Sequence, residues 1–237
     1  MTHDPGSGIS GKLGVAPFFV AVPITVIITG GFNLSRSMPM PAALAVGAGW
    51  GLALGLVAAY LRTKPKLAAA VEDSLVALGI VAVAFAACGG VMALLMLNGA
   101  LSSSSLTGET LEATFVPTIP FYIVANGSLE LVIVPLLVYL GWRAGRRRVC
   151  IVTAAVLYFA MRVWTYVAYR PARLGFADSD HTDTPMSLME RQSAYLDLKL
   201  DDPRWILLLV ILAVLIAAAG YPRLREINAG NGLGTAQ

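Results

Sequence analysis

Charged side chains are scarce in this chain. Asp, Glu, Lys and Arg make up 13% of its 237 residues, against 57% hydrophobic. A soluble domain carries about 25% charged residues, so an ordinary water-exposed surface is excluded for most of the sequence. Cysteine and histidine are scarcer still, two of each. Cys88 falls inside one apolar run and Cys150 at the start of another, at depths too different for a disulfide. No CxxC pair or Cys/His cluster is present to mark a zinc or redox centre. His3 and His181 both lie outside the apolar runs, so no pair of histidines can hold haem within a bilayer. A P-loop, a GxGxxG turn and a GxSxG elbow are also missing. The expectation is a chain with no cofactor and no nucleic-acid partner.

Apolar runs are what the sequence has in abundance. Six of them, about 15–33, 41–61, 75–98, 115–141, 149–169 and 204–221, are each long enough to cross the hydrocarbon core of a bilayer. The predicted fold is an all-α polytopic membrane helix bundle of six transmembrane helices, residues 15–221. Cytoplasmic tails 1–14 and 222–237 flank it, and residues 170–203 form a long extracytoplasmic loop. The first run has the length of a signal peptide, but Pro17 and Pro23 interrupt it and it lacks a clear A-x-A site, so a retained helix is expected.

With six spans both termini share one side. Placing them in the cytoplasm gives ten Lys and Arg to the inner segments and six to the outer ones. Five of those six lie in or beside the acid-rich loop 170–203, so the short loops obey the positive-inside rule. The small basic excess, 17 Lys and Arg over 14 Asp and Glu, is thus a matter of topology. Arginine-rich, alanine-rich composition fits a GC-rich bacterial genome, and so a multi-pass protein of the bacterial cytoplasmic (inner) membrane, with the lipid bilayer as its first partner.

Two packing patterns stand out. In the second span Gly47, Gly51 and Gly55 recur on one helical face, and Ala82, Ala86 and Gly90 repeat the spacing in the third. Small residues four apart let helix backbones approach closely in lipid. Spans two and three are therefore expected to pack together, the alternative being a homodimer through the same groove. Spans one and four are interrupted, the first by Pro17, Pro23, Gly30 and Gly31, the fourth by Pro117, Pro120, Asn126-Gly127 and Pro135. They hold corresponding places in two three-span halves, an arrangement found at transporter sites.

Glu130 in the fourth run and Arg162 in the fifth are the charges a lipid-facing chain should lack. Ionised side chains at membrane depth face a protein interior, pair, and mark a site. At 1.5 Å rise per residue, Glu130 lies near the midplane, Asn126 about 6 Å outward and Arg162 about 4.5 Å outward. Tyr122, Asn126 and Glu130 share one face of their helix. Tyr158, Arg162, Thr165, Tyr166 and Tyr169 share a face of the next, while Trp164 points elsewhere. Two polar stripes on adjacent antiparallel helices predict a polar pocket opening outward. Tyr169 also suits a membrane-interface aromatic.

Three readings of the pair follow. A carrier would use Arg162, Glu130 and Asn126 to bind or translocate a small or lipid-like molecule. A membrane-embedded cyclase, isomerase or transferase would use Glu130 as catalytic acid or base. A structural subunit would use the pair only as an interhelical clamp. In loop 170–203, Asp178, Asp180, His181 and Asp183 are weak candidates for a divalent cation, although their spacing matches no metal motif. The stretch after them suits a short helix lying on the membrane surface.

Overall fold

The computed structural model describes residues 16–141 and 145–221. The tails predicted as cytoplasmic, and Arg143 among the basic residues, lie outside them. The described residues form helices and no strand, joined by turns and by one longer connection, 178–187. Helix α1 (Ala16–Thr25) runs directly into a π-helical segment, Val26–Asn33, and is followed by α2 (Met40–Arg62) and α3 (Pro65–Leu101). Next come α4 (Gly108–Phe115), α5 (Thr118–Ser128), a second π-helical segment (Leu129–Ile133) and α6 (Val134–Leu140). After α7 (Arg146–Trp164) a third π-helical segment, Thr165–Tyr169, leads into α8 (Arg170–Ala177). The chain closes with α9 (Leu188–Asp197) and α10 (Arg204–Gly220).

Four continuous helices are long and apolar enough to cross a membrane: Met40–Arg62, Pro65–Leu101, Gly108–Leu140 and Arg146–Ala177. Phe18–Asn33 and Arg204–Gly220 are apolar but shorter. The helix Gly108–Leu140 is the centre of the bundle, since 67% of its apolar window is buried against 22% to 33% in the other three. Its α6 segment packs against α1, α2, α3 and α7, while α10 fits between α3 and α7. The main core is built of Leu129, Ile133, Leu137, Tyr139, Ile151 and Ile211 with their neighbours.

The glycine face of α2 is filled from within the chain, and by a different partner from the expected one. A Cβ added at Gly47 would lie 2.9 Å from both Gly30 N and Thr25 O, and one at Gly55 would strike the Phe18 ring. Helix α1 and its π-helical extension therefore occupy this groove, so neither α3 nor a second copy can use it. The reason lies in α1 and its extension: Gly30 carries no side chain and Thr25 turns its hydroxyl back onto Val22 O at 2.8 Å. Both helices are thus smooth where they meet.

Residues 170–203 are likewise not an open loop. Arg170–Ala177 continues the helix of α7, and Ser187 and Glu190 form a capping box that starts α9. Leu198 and Leu200 join Leu97, Leu106, Leu111 and Phe115 in a second core over the ends of α3 and α4. Arg191 donates to the carbonyls of Leu101 and Ser103 at 3.2 and 2.9 Å, satisfying the end of α3. The short helix expected after the acidic stretch is present, and Leu188, Met189 and Leu196 are exposed on it.

Candidate functional site

The three π-helical segments meet at Glu130. Two of them have the same sequence cause. Leu129–Ile133 is followed at the second position by Pro135, and Thr165–Tyr169 by Pro171. Proline has no N–H to donate and its ring crowds the carbonyl four residues back. In each case the residue just before proline shifts to a wider bond, Val134 N–H to Leu129 O and Arg170 N–H to Thr165 O. Pro135 leaves the Leu131 carbonyl without its helical donor, and the Trp50 indole N–H supplies one at 2.7 Å. Such bulges are frequent at functional sites. Here they set Glu130 and Tyr166 at the second position of their wide turns.

Arg162 pairs through Nε with Glu130 Oε1. The other carboxylate oxygen, Oε2, accepts from the Tyr166 hydroxyl at 2.9 Å and from Asn33 Nδ2 at 3.2 Å. Tyr166 also lies 2.9 Å from Asn33 Oδ1, and its ring carries the Arg162 guanidinium at 4.7 Å. Side chains from two neighbouring helices thus close on one buried carboxylate. Asn33, at the end of the first π-helical segment, was not among the sequence candidates.

The other candidates fall where the helical faces put them, with different tasks. Asn126 is buried and donates to Tyr122 O at 3.0 Å. Its Oδ1 accepts from the Tyr158 hydroxyl at 3.3 Å. Asn126 therefore orients Tyr158, and among the described residues no hydrogen bond joins it to Arg162. Thr165 donates to Met161 O and accepts from Arg204 Nη1, both at 2.8 Å. Tyr169 is buried beneath the Arg204 guanidinium, 3.7 Å from its ring centre, so its place is inside the bundle. Trp164 is exposed, as its helical face predicts.

A second charged cluster lies toward α8 and α9. Asp202 accepts from Arg173 Nη2 at 3.1 Å, from Arg204 Nε at 2.7 Å and from the Arg204 backbone N–H at 3.0 Å. Burial would raise its carboxyl pKa, but the hydrogen bonds and charge of Arg204, with Arg173, hold it below the ordinary value. Asp202 also caps the first turn of α10. Sequence position hid this cluster: Asp202 and Arg204 look like loop residues, and the D-x-R step before an apolar run was its one legible signal.

Between the two clusters lies a cavity of about 620 Å³. Glu130, Arg162 and Tyr166 line it on one side, with Arg170 over the Tyr166 ring, and Arg173, Asp202 and Arg204 line it on the other. Thr29 lines it too, and among the described residues its buried hydroxyl has no hydrogen-bond partner. The flank is apolar, including Leu94, Ile119, Trp205 and Leu208. The loop acids do not gather: among the described residues no group of three or more His, Cys, Asp or Glu could hold a metal ion. Asp178, Asp180 and Asp183 are exposed, and His181 instead bonds the Phe176 carbonyl at 2.8 Å. Comparison with known protein families, with curated proteins and with solved structures finds no match to this chain.

Proposed function

We propose that the chain is a six-span protein of the bacterial inner membrane, with both termini in the cytoplasm, whose cavity binds or translocates a small or lipid-like molecule. The two shorter helices suit this count. Arg204–Gly220 has 17 residues, about 26 Å of helix, and a bilayer accommodates a deficit of a few ångströms by thinning. The observation that carries the functional reading is the cavity of about 620 Å³ between two charged clusters. Its size is that of small-molecule sites, and a clamp has no need of it.

A binding role suits Glu130 better than acid–base catalysis. Both of its oxygens face protein donors, Arg162 on one side and Tyr166 with Asn33 on the other. A general base must present an oxygen to its substrate. The carboxylate instead fixes Arg162 and Tyr166 as one wall of the pocket.

The test is native mass spectrometry and ligand thermal shift on the purified full chain, comparing wild type with Glu130→Gln/Arg162→Met. The expected result is a bound small molecule or lipid in wild type that the folded double variant loses. A double variant that keeps its ligand, or a wild type that binds nothing, reduces the pair to a clamp. Flux in proteoliposomes then separates carrier from enzyme: transport requires a gradient, whereas turnover proceeds in detergent without one.

A further inference from the structure

The wall of the cavity can be followed from helix to helix. Helix α3 packs on α10, and α10 on α7. The π-helical end of α7 meets that of the first helix, where the Phe32 and Tyr166 rings stack at 4.7 Å and Arg170 donates to the Phe32 carbonyl. On the other side α5 packs on α3, with the Phe121 ring over Gly89. One joint is left. Residues 29–34 and α5 both line the cavity, but among the described residues no comparable packing joins them. The joint closes again at Glu130 and Leu131, which Asn33 Nδ2 and the Trp50 indole N–H reach at 3.2 and 2.7 Å.

Apolar side chains border this opening. Ile123 lines the cavity yet is 66% exposed, and Val124 next to it is 70% exposed. A Cβ added at Gly127 would meet nothing within 4 Å. The end of the cavity toward α8 is covered instead. Phe115 lines it, is buried in the second core and packs edge-on against Phe176 at 6.0 Å. Ala86, Gly90 and Leu94 line the cavity from within the apolar run 75–98, so the open joint lies at the depth of the hydrocarbon.

We infer that the ligand is a lipid-soluble molecule that enters sideways from the bilayer, between α5 and residues 29–34. This rests on the cavity being a binding site, and it adds the route and the phase from which the ligand comes. A water-borne solute would lose its hydration at the apolar opening, or would have to part the second core and expose its apolar surface. A molecule already dissolved in hydrocarbon meets neither barrier. Thr29, on the edge of the joint, keeps a buried hydroxyl without a hydrogen-bond partner among the described residues. Buried polar groups are seldom left unpaired, and an alcohol or carbonyl oxygen on the ligand supplies the missing partner.

The test is photolabelling of the full chain in phosphatidylcholine vesicles, read residue by residue by peptide mass spectrometry. One probe is a long-chain fatty alcohol carrying a diazirine on its alkyl chain. The other is a sulfonated, membrane-impermeant diazirine added to the water on both sides. Met161 and Leu208 line the cavity and are buried, so label on them reports entry. Leu56 and Val81 are exposed on the outside of the bundle and serve as controls for folding and for contact with the bilayer. The fatty alcohol is expected to label all four residues, and the sulfonated probe neither Met161 nor Leu208. Gly127→Trp is expected to lower the label on Met161 and Leu208 at least tenfold and to leave Leu56 and Val81 unchanged. Ile123→Trp, on the exposed edge of the same joint, is expected to lower it severalfold, and tests the route even where Gly127→Trp fails to accumulate. Labelling of Met161 and Leu208 by the sulfonated probe overturns the bilayer route and leaves the cavity a binding site. Labelling by the alcohol that neither substitution reduces overturns the entrance between α5 and residues 29–34. Failure of both probes to reach Met161 and Leu208 removes the binding reading itself.

Discussion

One buried acid–arginine pair of this bundle joins two helix ends and another lies within the helices, and they are built for different purposes. Glu72 at the start of α3 meets Arg147 at the start of α7, Nε to Oε1 at 2.8 Å, with Asp73 taking Nη2 at 2.7 Å. The helices around it are regular. The packed interior near Ile133, Leu137 and Ile151 holds a void of only about 20 Å³. Glu130 and Arg162 sit where three helices depart from regular geometry, beside a cavity of about 620 Å³. One pair joins two helix ends. The other gathers hydroxyl and amide donors from neighbouring helices around open space. A buried ion pair by itself therefore says little about function; the surroundings of the pair say more.

The sharpest way to break the comparison is to remove each carboxylate in turn. Glu130→Leu strands Arg162 in the interior and is expected to cost about 3–5 kcal/mol of stability. Glu72→Leu should cost about 1–2 kcal/mol, because Asp73 still neutralises Arg147. Denaturant unfolding in mixed micelles measures both. Equal losses would make the two pairs equivalent, and so would a Glu130→Leu/Arg162→Met variant that regains both stability and ligand.

The Asp202 cluster offers a test by pH. Its carboxyl is held below the ordinary value in the fold, so the unfolded chain binds more protons and stability rises with pH. The contribution is complete above the unfolded carboxylate range and is lost as pH falls through the lowered folded value. Asp202→Asn should cost about 2 kcal/mol at neutral pH. Melting curves from pH 7 downward should show the gap to wild type closing in the acid range. A gap independent of pH would mean that shape, not charge, holds Arg173 and Arg204.

Glycine separates the packed region from the open one. Gly47→Val pushes a side chain into the backbone of the first helix and is expected to cost about 1–3 kcal/mol. Gly90→Leu brings its Cβ only to ordinary contact with Tyr122 and Trp205, at 3.8 and 4.0 Å, and should leave the melting temperature within a few degrees while reducing ligand binding severalfold. The smallest expected effect is Ser187→Ala, about 1 kcal/mol through loss of the capping box. Hydrogen exchange should localise that loss to α9 and spare α5.

Much of the site was legible because helical periodicity records which residues share a face. Glu130 with Arg162 and the outward-pointing Trp164 followed from spacing, whereas the bond of Asn126 to Tyr158 rather than a place beside Arg162 did not. The π-helical geometry had a signal that hydrophobic periodicity does not weigh. Glu130 and Tyr166 each stand five residues before a proline, Pro135 and Pro171, and that spacing places the wide turn under the polar side chain. Asn33 had no such marker, because nothing local says which distant helix will present its end to Glu130.

By itself the sequence determined an all-helical bundle with helices apolar and long enough to cross a membrane, and it marked the two charges that must find each other inside. Those outcomes follow from local chemistry: apolar length, helical period and the cost of an unpaired charge. Only the tertiary structure decided that α1 fills the glycine groove of α2, that residues 170–203 fold into a second core, and that Asn33, Asp202 and Arg204 join the site. Several small-residue faces could have matched that groove. Backbone fit among competing helices settled the choice, and no single segment encodes it.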